Sequence, residues 1–202
     1  MEPNRVSYEL APNSQLPAAL KLLMTRAHYS YEHLTVDGEP FDTLVIGAAI
    51  FKSSILPELT EAPKILLLKR STREIYYPNV FEIPSGNVDD SDISLKDALA
   101  REAKEETGLD VKRVIAELPE YPYHTDKLAH NANGTAQLIR KSCVQLNFVA
   151  EFEGDEIQVS PDEHSVGLWA TRKDIKGLDM TDGMRSVVID ALAWEESNAT
   201  SH

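Results

Sequence analysis

Residues 101–108 read Arg-Glu-Ala-Lys-Glu-Glu-Thr-Gly, and three of their carboxylates, Glu102, Glu105 and Glu106, stand at positions i, i+3 and i+4. On a helix those spacings gather all three onto one patch of one face. Like charges so placed repel by a few tenths of a kcal/mol per pair, and here they crowd the negative end of the helix dipole. Arg101, one turn before Glu105, relieves part of that repulsion. A divalent cation relieves far more, because clustered oxygen ligands that leave open positions for water and phosphate suit Mg²⁺, or Mn²⁺ in its place. Spacing alone fits a solvated acidic face equally well.

The patch needs a helix to carry it. Ser94 followed by Asp97 approximates a capping box, and Gly108 stands where a left-handed stop belongs. Leu95, Leu99 and Ala103 recur at intervals of four, which gives the helix an apolar face beside the acids. Upstream, 43–52 is a nearly continuous apolar run that reads as a buried strand, followed by a proline-bearing insertion at 53–63. A second strand is expected over 64–70, a polar loop over 71–79 and a short strand over 80–83. Downstream, strands are expected at 111–118 and 143–152, the latter with Val144, Leu146, Phe148, Ala150 and Phe152 on one face. Another strand holds Trp169, and a helix runs from about Thr181 to Glu195. Leu16, Leu20, Leu23 and Ala27 predict an amphipathic helix from Ser14 to about Tyr31. Residues 119–138 lack clear periodicity and read as a long polar connection, of the kind that is usually functional.

The stretch from Gly86 to Leu109 resembles the Nudix box, Gly-x5-Glu-x7-Arg-Glu-U-x-Glu-Glu-x-Gly-U with U aliphatic. Gly86, Arg101, Glu102, Glu105, Glu106, Gly108 and Leu109 match, with Ala103 at the smaller aliphatic position. Asp92 stands where the family has Glu, with one extra residue before Arg101, and the usual Gly-Gly opening is reduced to Ser85-Gly86. The resemblance implies an α/β/α sandwich with a mixed β-sheet and a loop–helix–loop catalytic box. It also implies Mg²⁺ (or Mn²⁺) held by Glu102, Glu105, Glu106 and the backbone of Gly86. Arg101 would orient carboxylates. Glu102, Glu105 or a further acid in a later loop would serve as ligand or base, and Glu163 is the candidate for that acid, with Asp162 and Glu156 behind it.

The implied reaction is metal-assisted hydrolysis of a phosphoanhydride in a nucleoside diphosphate linked to another moiety. Lys69 and Arg70 are candidate phosphate contacts, Tyr77 can stack on a ring, and Tyr123 and His124 are candidates on the substrate side. Asp92 with its longer spacing, and Leu67 to Ser71, are similar to coenzyme A pyrophosphatases, although the Arg and Gly expected between Arg73 and Phe81 are missing. Pro119 and Pro122 lie close to the downstream proline of ADP-ribose hydrolases. An isoprenoid diphosphate hydrolase, or a catalytically weak ligand-binding module of the same fold, is the alternative.

Length and composition bound the rest. The 202 residues suit a single domain, with 1–40 as an N-terminal extension, 41–196 as the core and 197–202 as a tail. No apolar run approaches the roughly 18 residues of a membrane span, and 1–14 lack the character of a signal or transit peptide. One cysteine excludes an internal disulfide framework. A cytoplasmic protein without a membrane partner is therefore expected. A net charge of −13 argues against a nucleic-acid polymer as partner. The N-terminal helix is a candidate contact for a homodimer.

Overall fold

A computed structural model describes residues 18–52, 62–130, 133, 135–154 and 156–198. Helices α1 (Ala18–Lys21) and α2 (Arg26–Glu32) precede strands β1 (Thr43–Ile50), β2 (Ile65–Arg70), β3 (Phe81–Glu82) and β4 (Ser85–Asn87). Helix α3 (Leu95–Thr107) follows, then β5 (Asp110–His130), β6 (Ala136–Glu153), β7 (His164–Ala170), a 3₁₀ turn (Asp174–Gly177) and α4 (Asp182–Asn198). One sheet runs β4-β1-β6-β5, with β1 parallel to β6 and the other pairs antiparallel. A second, antiparallel sheet runs β3-β2-β7, and a Phe51–Ile65 bridge joins the end of β1 to the start of β2.

Alternation along the central strands explains the layering. Leu66 and Leu68 of β2 enter one core with Leu44, Ile46 and Ala48 of β1, Leu146 and Phe148 of β6, and Leu95, Ala98 and Leu99 of α3. Ile65 and Leu67 enter the other, with Ala49, Val149 and the α4 residues Val187, Val188, Ala191 and Leu192. Strands that are apolar on both faces need a helix on each, and the result is the expected α/β/α sandwich with a mixed sheet. Among the described residues no helix is long and apolar enough to cross a membrane.

Helix α3 forms as its sequence predicts. The Ser94 side chain accepts from the Asp97 N–H, and Gly108 ends the helix at φ 74°. The N-terminal segment does not follow its prediction. Residues 14–17 lie outside the described residues, and from Ala18 onward two short helices replace one. Leu20 and Leu23 are exposed, whereas Lys21, Leu22, Met24 and Tyr29 are buried. The break has a physical reason. The N–H groups of Leu95 and Lys96 have no partner within α3, and the carbonyls of Met24 and Leu22 accept from them at 2.8 and 3.0 Å. Thr25 then caps α2 by accepting from the His28 N–H.

The connection expected over 119–138 is instead mostly strand. β5 and β6 form one long antiparallel hairpin, paired from Asp110↔Glu153 to His130↔Ala136. Pro119 and Pro122 are tolerated because β5 is an edge strand, paired only with β6. Residues 53–61 of the expected insertion and 199–202 of the tail lie outside the described residues.

Candidate active site

The acidic patch of α3 packs against the turn from β3 into β4. A Cβ on Gly86 would run into the Glu102 carboxylate, so only glycine lets the chain pass this close. The Ser85 N–H donates to Glu106 Oε2 at 2.8 Å. Glu102 and Glu106 are 9% and 2% exposed, whereas the side chain of Glu105 is 61% exposed at the rim. Burial pushes the Glu106 carboxyl well above the usual range, and the charges of Glu82, Glu102 and Glu163 add to it. Glu102 is pushed up too, by burial first, although Arg101 opposes the shift.

Arg101 is fully engaged. Its Nε and Nη2 donate to the two oxygens of Asp92 at 2.9 and 2.8 Å, Nη1 donates to Glu102 at 2.7 Å and Glu105 at 3.2 Å, and Nη2 also donates to the Asn87 carbonyl. It therefore positions carboxylates, and Asp92, despite its shorter arm, makes the bidentate pair.

A later loop closes the site. The N–H groups of Gln158 and Ser160 donate to the Thr107 and Glu106 carbonyls, so the loop satisfies the free C-terminal end of α3. The chain after it brings Glu163 and His164 to Glu106, with ligand atoms from all three within 4.8 Å of one another. Glu163, the late-loop acid expected from the sequence, thus lies beside Glu106, and His164 joins them without a sequence signal of its own. Its Nε2 lies 3.0 Å from Glu82 Oε1, an oxygen that also accepts from Arg70 Nη1 at 2.7 Å.

Beside the acids lies a cavity of about 470 Å³. Glu82, Ser85, Gly86 and Asn87 form one end, Tyr76, Tyr77, Tyr121 and Tyr123 a wall, and Lys127 and Lys141 the other end. Tyr121 and Tyr123 stack with centroids 5.6 Å apart. Gly183 of α4 leaves room for the Tyr121 ring where a Cβ would clash. Tyr77 and Tyr123 therefore both line the cavity. Arg70 lines the cavity but is spent on Glu74, Glu82 and the Tyr76 carbonyl. Lys69 lies 5.7 Å from the Phe81 ring centroid and does not line the cavity. Neither does His124, which follows Tyr123 and so falls on the opposite face of the alternating strand. Lys127 was missed because 119–138 was read as a loop, which hides which residues share a face, and Lys141 because it lies before the strand expected at 143–152 whereas β6 begins at Ala136.

The NUDIX domain family model matches residues 54–191, more than half of the chain. The chain belongs to the Nudix family. Among curated Nudix-region relatives, an RNA pyrophosphohydrolase of Campylobacter jejuni is 43% identical over 58 residues, 29% of this chain and 34% of that protein. The match thus spans about a third of the length of the curated relative. Two solved structures agree in fold: the NUDIX domain of Shewanella oneidensis NrtR complexed with ADP ribose, and a MutT protein from Methanosarcina mazei. The first has a TM-score of 0.54 at 18% identity, covering 86% of this chain and 99% of that one. The second has a TM-score of 0.53 at 20% identity, covering 77% and 94%.

Proposed function

We propose that this Nudix protein is a divalent-metal-dependent hydrolase of a phosphoanhydride in a nucleoside diphosphate linked to another moiety, coenzyme A-like or ADP-ribose-like. One observation carries the reading. Glu106 and Glu102 are buried without enough positive charge around them, against the Ser85–Gly86 segment that lines a cavity walled by tyrosines. A carboxylate group of this kind fits a cation: it includes Glu163, an unpartnered imidazole nitrogen and a glycine cradle. Bound Mg²⁺ or Mn²⁺ would supply charge neutralisation at the diphosphate and a more acidic water. Glu102, Glu106 and Glu163 would hold it, with Glu105 joining from the rim and Gly86 letting the phosphates approach the backbone.

The water oxygen bonds to phosphorus as the bridging P–O bond breaks, and its proton passes to Glu102 or Glu163. Arg101 keeps Glu102 and Glu105 in place. Tyr77 and Tyr123 stack on the ring of the substrate, and Lys127 and Lys141 receive an anionic group at its far end. Arg70 acts through Glu82 rather than on phosphate. The RNA in the curated relative's name does not transfer well to a chain of net charge −13.

The test is a phosphate- and AMP-release screen over coenzyme A, ADP-ribose, dinucleoside polyphosphates, nucleoside triphosphates and prenyl diphosphates, with Mg²⁺ and with Mn²⁺. A dominant metal-dependent substrate that Glu106→Gln no longer turns over supports the reading. Silence across the panel, with the same ligands still raising the melting temperature, replaces it with a binding module.

A further inference from the structure

We propose that His164 is a direct nitrogen ligand in the cation site, bound through Nδ1 together with Glu106 and Glu163. The inference rests on the divalent-cation reading above and deepens it. The His164 side chain is 1% exposed, and its Nδ1 has no hydrogen-bond partner among the described residues. Burying such an atom unpaired is unfavourable, so the position calls for a partner. The neighbours decide which partner. Glu82 Oε1 already accepts from Arg70, so the bond to His164 Nε2 is made by an N–H donating to a carboxylate. In a neutral ring that leaves the lone pair on Nδ1, which lies 3.8 Å from Glu106 Oε1. A lone pair facing a carboxylate oxygen is repulsive, and 3.8 Å is too long for a hydrogen bond in either direction. Two metal–ligand bonds of about 2.1 Å span up to about 4.2 Å, so a cation fits between them.

The arrangement Glu82–His164–cation is the carboxylate–histidine–metal relay, in which the outer carboxylate fixes the tautomer and ring orientation. A nitrogen donor also changes the choice of ion. An all-oxygen set suits Mg²⁺, whereas one imidazole shifts the preference toward Mn²⁺, Co²⁺ or Zn²⁺.

Pulsed electron paramagnetic resonance of the full chain loaded with one equivalent of Mn²⁺ tests this directly. We expect ¹⁴N modulation from a bound imidazole, replaced by the ¹⁵N pattern when the wild-type chain is grown with ¹⁵N-histidine, which needs no variant to fold. His164→Gln should abolish the modulation and weaken Mn²⁺ binding at least about tenfold while changing Mg²⁺ binding less. Tight Mn²⁺ binding without nitrogen modulation overturns the proposal and leaves the carboxylate site standing. Failure of Glu106→Gln to weaken Mn²⁺ binding overturns both.

Discussion

Two clusters of buried charge among the described residues differ in how they are neutralised, the first from within and the second not fully. Between the N-terminal segment and β5, Lys21 is 2% exposed and pairs with Glu117 and with Glu120, the latter at 2.6 Å. Burial works against the Lys21 charge, but the two carboxylates outweigh it and hold its pKa above the usual value. At the box, Glu106 and Glu163 converge beside Glu102 with less charge to meet them: Arg101 is shared among Asp92, Glu102 and Glu105, and Arg70 is spent on Glu74 and Glu82. A buried ion pair that carries its own counter-charge holds two elements together. A buried acid group that lacks one is held at a cost, and the fold tolerates that where a ligand supplies the charge.

Removing one carboxylate from each cluster separates these roles most sharply. Glu106→Gln should lower turnover by about 10²–10³-fold, since a cation at a phosphoryl group is worth several kcal/mol of charge stabilisation. The same variant without metal should melt no lower than wild type, because it relieves repulsion. Activity near wild type at matched Mg²⁺ would remove Glu106 from the site.

Lys21→Met should do the reverse. It leaves Glu120, whose side chain is 5% exposed, without its cation, and breaking such a pair costs about 3–5 kcal/mol. Urea unfolding would report the loss, while turnover per folded molecule should stay within about twofold of wild type. A large fall in turnover with unchanged stability would mean that the N-terminal segment shapes the site rather than fastening it.

These two clusters also mark what sequence could and could not reveal. The box was legible because α3 is local: a cap, a four-residue apolar repeat and a glycine stop lie in one continuous stretch, and each acid's face follows from helical phase. Glu163 was within reach because an acid in a late loop is part of the family resemblance. His164 was not, since its role depends on Glu82 and Glu106, 82 and 58 positions away, meeting in space. Lys21 gave no signal, because its partners Glu117 and Glu120 lie 96 and 99 positions along the chain. The hairpin was lost because one face of β5 lines the cavity with Tyr121, Tyr123, Thr125 and Lys127, a mixed set in which no apolar period of two stands out. The N-terminal helix was over-read because its leucines suggested a stripe, whereas backbone carbonyls demanded by α3 break it.

The acid excess should also be visible as a pH dependence in metal-free protein. Glu106 and Glu102 have folded-state pKa values raised above the unfolded 4.5. Between those values the folded chain holds protons that the unfolded chain has released. The contribution of these two groups to stability is therefore fully present below about 4.5 and is lost as pH rises through the folded values, by up to about 1.4 kcal/mol per pH unit for each proton. Glu106→Gln should flatten most of that fall and leave the smaller part due to Glu102. An identical profile in the variant would show that Glu106 is not the strained acid. Saturating Mn²⁺ should suppress the fall in wild type only.

The smallest effect is expected at Asp92, where the chain departs from the family's box. A shorter side chain and one extra residue before Arg101 change two things at once, and the bidentate pair at 2.9 and 2.8 Å shows that they compensate. Arg101 holds Asp92 below its usual carboxylate range by hydrogen bonding. Asp92→Asn keeps the size but loses one acceptor oxygen and the charge, and should cost about 1–2 kcal/mol of stability. Turnover should fall only several-fold, because Arg101 still has Glu102, Glu105 and the Asn87 carbonyl to fix it. Asp92→Glu, which restores the family residue without removing the extra one, should be no better than wild type, since the longer arm must buckle in a pocket where Asp92 is only 6% exposed. If Asp92→Asn instead abolished turnover as Glu106→Gln does, Asp92 would belong with the acids that act on substrate, and the contrast between self-neutralised and cation-requiring clusters would have to be redrawn around Arg101.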